Sequence, residues 1–104
     1  MVVDLSKYQS KDSKVFSGRP YGEKLRKELM LDEYDDLDEK VIVKIPEDTF
    51  SMNSSFFLGL FSNSIRKLGE LEFREKYNFE CSELIMEDVD EGIKRALKNS
   101  NVLD

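Results

Sequence analysis

Residues 41–68 constrain the fold of this chain more than any other stretch. Val41-Ile42-Val43-Lys44-Ile45 is a nearly continuous β-branched run, the pattern of a central strand covered on at least one face. Pro46 cannot donate to a ladder and ends it. A turn-rich link, Pro46 to Met52, leads to Asn53-Ser54-Ser55. From there Phe57, Leu60, Phe61, Ile65 and Leu68 recur at helical spacing and define one apolar face. Phe56 and Leu58 fall beside that stripe, so the helix is expected to bury a wide face. Gly69 is placed to end it with a positive φ.

The rest of the chain is read around this unit. Val2–Leu5 and Lys14–Ser17 are each long enough for a short strand, with Ser6–Ser13 as their loop. Gly18-Arg19-Pro20-Tyr21-Gly22 is a turn cluster, and Leu25 and Leu29 predict a helix from Glu23 that fades near Leu31. Asp32–Glu39 is acidic. It lacks the glycine that a calcium loop needs after its alternating ligands, so it is expected to be a solvated segment without metal. Glu70–Lys76 predicts one or two helical turns, and Asn78–Cys81 a short strand. Asp88 with Glu91 fits a capping box for a last helix whose buried face is Val89, Ile93, Ala96 and Leu97.

Composition narrows the function classes. The 104 residues suffice for one domain and one core. Asp and Glu number 22 against 16 Lys and Arg, a net charge of −6, which argues against nucleic-acid binding by phosphate neutralisation. With no histidine, a Ser-His-Asp triad, a Cys-His pair and a His-bound zinc are excluded. Cys81, alone, makes no internal disulfide and reads as a small buried hydrophobe, which fits a cytoplasmic protein. No run approaches the ~18 apolar residues of a membrane span. The carboxylates show no paired pattern suited to acid–base work, and no cofactor motif is present.

Ser54 and its neighbours have two readings. A residue at a helix start meets unpaired N–H groups and the positive end of the dipole, which suits either an N-cap or a phosphorylated serine. Arg19 and Arg26, near the first helix, either clamp an anion bidentately or pair with acids such as Glu23.

The order of elements, with Asn53-Ser54-Ser55 at a helix start, resembles a STAS domain, the fold of anti-sigma factor antagonists. More closely it resembles the family described as a STAS-like domain of unknown function. The features that carry the resemblance are Asp4-Leu5-Ser6, Gly18-Arg19, Tyr21-Gly22-Glu23 with Arg26, the strand at 41–45, Ser54-Ser55-Phe56 leading into Gly59-Leu60, and Glu72-Phe73-Arg74 followed by Tyr77 and Phe79. The resemblance implies a single STAS-like α/β domain over residues 1–104, with a small mixed β-sheet and helices mainly on one face. It also implies a non-catalytic regulatory module that docks a protein partner, such as a histidine-kinase-like ATPase acting as a serine kinase. Ser54 would then be the phosphoacceptor, with Asn53 and Ser55 beside it. Asn53 stands where the antagonists have aspartate, and Phe56 where they have glycine. A different class remains open, an acidic inhibitor or nucleic-acid mimic whose carboxylates at 32–39 and 87–91 fill a basic groove on a target protein.

Overall fold

The computed structural model describes residues 1–8, 15–16, 18–49 and 51–99, with the backbone alone at Val15 and Asn99. It is an α/β domain. Strand β1 (Val2–Asp4) leads into a 3-10 turn at Leu5–Tyr8, and β2 (Val15–Phe16) precedes helix α1 (Arg19–Leu29) and the short α2 (Leu31–Asp35). Strands β3 (Val41–Lys44) and β4 (Ser51–Met52) follow, then the long helix α3 (Ser54–Lys76), β5 (Tyr77–Glu80) and α4 (Glu83–Asn99).

The β-branched run is the middle strand. β3 lies between β1 and β5, and both ladders are parallel, with Val43 opposite Val3 on one side and Phe79 on the other. β2 and β4 form a separate two-stranded ladder, also parallel. The expectation of a mixed sheet is therefore corrected: every ladder among the described residues is parallel, because a helix intervenes between successive strands of the main sheet. Side chains alternate across these strands. Val3, Val41, Val43 and Tyr77 are buried, whereas Val2, Lys44, Asn78 and Glu80 face outward.

The apolar stripe of α3 enters the core as expected. Phe57, Leu60, Phe61 and Ile65 are buried and Leu68 is half-buried. Phe56 and Leu58 are buried too, so the helix is enclosed over a wide face. The ring of Phe61 sits 5.2–5.9 Å from those of Phe57, Phe73, Tyr77 and Phe79, which joins α3 to β5 through an aromatic cluster. Gly69 takes φ 83°, ψ 163° and breaks the helix, as its position predicted.

Several boundaries differ from expectation for identifiable reasons. α1 starts at Arg19, since Gly18 occupies the N-cap and Pro20 is accommodated in the first turn. The acidic stretch is partly ordered: Met30 adopts the left-handed conformation (φ 58°, ψ 41°), reverses the chain, and starts α2. The last helix begins at Glu83, ahead of the expected capping box. Ser82 caps it, its Oγ accepting from the Ile85 N–H at 3.2 Å. Asp88 instead holds β4 in place, accepting from the Met52 N–H at 3.0 Å. The expected loop is outside the described residues from position 9 to 13. No helix among the described residues is long and apolar enough to cross a membrane.

Candidate functional site

Helices α1 and α3 run side by side in the same direction, and two glycines set how close they come. A Cβ on Gly22 would land on the carbonyl oxygen of Phe56 and lie 2.9 Å from the Leu60 nitrogen; one on Gly59 would land on the carbonyl oxygen of Arg19. The two backbones therefore touch. One turn further along, this contact delivers Arg26 to the side of α3, where the guanidinium is 6% exposed.

A charge in that position requires full pairing. The guanidinium has five N–H donors, and each is engaged. Nη1 donates to the Leu60 carbonyl at 2.9 Å and to Ser64 Oγ at 2.8 Å. Nη2 donates to Asp35 Oδ2 at 2.9 Å and to Asp32 Oδ1 at 2.6 Å, and Nε donates to the same Asp32 oxygen at 3.1 Å. Asp35 is fully enclosed. It also accepts the Ser64 hydroxyl and the Tyr77 hydroxyl, each at 2.5 Å. Burial, reinforced by the hydrogen bond to Asp35, pushes the Tyr77 phenol well above its ordinary value, so it stays a donor. The Met30 turn makes this possible, because it folds α2 back so that Asp32 and Asp35 reach Arg26.

Arg26 pairs with Asp32 and Asp35 inside the molecule, with no ion pair to Glu23 among the described residues, and each of its N–H groups is engaged while Asp32 stays in place. The stretch 32–39 is also less solvated than its composition implied: Asp35 is buried, and Asp36 pairs with Lys67. Asp35, Ser64 and Tyr77 were not identified as site residues. A signal existed for Ser64, a polar residue inside the apolar stripe, four after Leu60.

The helix start at 53–55 is a separate place. Asn53 is the N-cap: its Oδ1 accepts from the Ser55 N–H at 2.8 Å, and its carbonyl receives the Phe57 N–H at 3.0 Å. The chain is anchored there by the Asn53 N–H on the Phe16 carbonyl at 2.8 Å. Capping thus falls to Asn53 and not to Ser54, a residue of intermediate burial; Ser55 is exposed. The first turn carries no acidic residue. Phe56 is buried and stacks on Phe16 with ring centroids 5.3 Å apart, so its side chain serves the core. Arg19 lies exposed at the start of α1. It lines, with Arg26, a surface groove between α1 and α3.

Beyond these places the chemistry is sparse. Cys81 is half-buried, and burial followed by the nearby Glu47 and Asp90 charges raises its thiol pKa, away from nucleophilic character. No three carboxylate or thiol groups among the described residues are placed to hold a metal ion. No family model, curated protein or solved structure matches this chain.

Proposed function

We propose that the protein is a non-catalytic regulatory module of STAS-like type that docks a protein partner, with Ser54 as its phosphoacceptor. The single observation that carries this reading is the division of labour at the start of α3. Asn53 supplies the cap, which leaves Ser54, a residue of intermediate burial beside the helix N-terminus, with no side-chain hydrogen bond among the described residues. A phosphate there gains about 0.3–1 kcal/mol from the helix dipole, and no acidic residue in the first turn opposes it. Such a modification changes the charge of the surface without entering the core, which is what a switch between partners needs. An ATPase-type serine kinase is the partner class that the resemblance implies, in the cytoplasm. The acidic-mimic reading loses Asp35, whose carboxylate is enclosed within the molecule.

The test is mass spectrometry of the protein isolated from its host, with pull-downs of the wild type, Ser54→Ala and Ser54→Asp. Phosphate on Ser54 and a partner set that differs between Ala and Asp are the expected results. An unmodified Ser54 with the same partners captured by all three proteins would sink the reading.

A further inference from the structure

The groove between α1 and α3, about 460 Å³, has a charge balance opposite to that of the molecule. Arg19, Lys27 and Arg66 stand on it with Arg26 at its base, against Glu23 and Asp32 alone, in a chain whose net charge is −6. The three rim cations are exposed and make no ion pair among the described residues.

The occupant of the Arg26 fork is a poor match for it. The Nε and Nη2 edge of a guanidinium presents two parallel N–H groups, suited to two separate oxygens. Here both converge on one oxygen, Asp32 Oδ1, while the other carboxylate oxygen makes no hydrogen bond among the described residues. Asp32 is 76% exposed, in contrast to Asp35 on the other side of the same guanidinium. Asp35 belongs to the core, whereas Asp32 sits on the exposed rim.

From these observations we infer that the groove is a binding site for a phosphate dianion, and that Asp32 is its built-in competitor. When Asp32 swings out, a phosphate places one oxygen on Nε and another on Nη2, and the second negative charge answers Arg19, Lys27 and Arg66, which a single carboxylate leaves unbalanced. Arg26 keeps Asp35, Ser64 and Leu60, so the core is undisturbed. Because Asp32 is tethered, it competes at a high effective concentration and holds the affinity of the native protein down. The inference requires only the groove, so it stands independently of the phosphorylation of Ser54.

The experiment is an NMR titration of the arginine Nε–Hε resonances with inorganic phosphate and, separately, with a phosphoserine amide, on the wild type and on Asp32→Asn. The expected result is millimolar binding to the wild type, at least tenfold tighter binding to D32N, and movement of the Arg26 resonance in both. Tighter binding of the phosphoserine amide identifies a phosphorylated side chain as the natural ligand; tighter binding of inorganic phosphate identifies the free ion. Lys27→Gln with Arg66→Gln, both exposed and outside the core network, should weaken binding several-fold in either background, which gives a second measurement should D32N fold poorly. Equal affinity of D32N and wild type, no shift at Arg26, or indifference to the rim substitutions would each overturn the assignment.

Discussion

Asp35 accepts the Tyr77 hydroxyl at 2.5 Å, which ties the end of a five-residue helix to the first residue of an edge strand. The same carboxylate neutralises Arg26 and accepts from Ser64. Four elements, α1, α2, α3 and β5, thus meet at one enclosed charge.

Removing that charge leaves Arg26 buried with only the exposed Asp32 as a counterion. Asp35→Ala is expected to cost about 3–5 kcal/mol, the usual penalty for orphaning one partner of a buried pair. Denaturant melts measure it, and a loss under about 1 kcal/mol would mean that water or Asp32 replaces Asp35 without cost.

The Tyr77 phenol supplies a pH dependence. Its folded pKa is raised above the unfolded value of ~10 by burial and by Asp35, so its stabilisation is complete below that pH. As pH rises past ~10 the unfolded chain loses its proton first, and stability falls progressively until the folded value is passed. Tyr77→Phe should flatten that alkaline limb while costing about 1 kcal/mol near neutrality for the lost hydrogen bond. Urea midpoints between pH 8 and 11 distinguish the two proteins, and parallel curves would show that Tyr77 is not the titrating group.

Phe61 is the hub of the aromatic cluster and 1% exposed. Its truncation to alanine is expected to cost about 3–5 kcal/mol. Equilibrium unfolding measures the loss, and one below about 1 kcal/mol would contradict the docking of α3 on the sheet.

Gly22→Ala sets two effects against each other. Alanine favours a helix over glycine by about 1 kcal/mol, yet its Cβ meets the Phe56 carbonyl and the Leu60 nitrogen, and neither backbone atom is free to yield. The clash wins, with a net destabilisation of about 1–3 kcal/mol, readable as a lower Tm. A neutral or raised Tm would show that α1 and α3 separate at little cost.

Where a pattern extends over many residues, it was readable from the chain. The β-branched run at 41–45 identified the middle strand, the stripe from Phe57 to Leu68 identified the buried helix, and Gly69 marked its break. The polar network was not readable in the same way. Arg26 looks like any surface arginine on an amphipathic helix, and its burial depends on a glycine contact with α3 that no local pattern encodes. Asp35 was hidden in an acidic block because its partners lie 9, 29 and 42 residues away. Asp88 resembled a cap and proved to be a tertiary contact, since a carboxylate accepts equally well from its own helix or from a neighbouring strand.

The parallel pairing of β1, β3 and β5 bears on how the chain acquires its fold. Neither ladder of this sheet joins strands adjacent in sequence, so no hairpin seeds it, and each closure comes only after a long loop entropy has been overcome. Helices form in microseconds and supply the early order. The meeting of α1 with α3 at Gly22 and Gly59 spans a loop of similar length but joins elements that are already formed, so the expected order is this crossing first and zipping of the sheet later. Substitutions at that helix crossing should therefore slow refolding, whereas substitutions in β1 should mainly hasten unfolding.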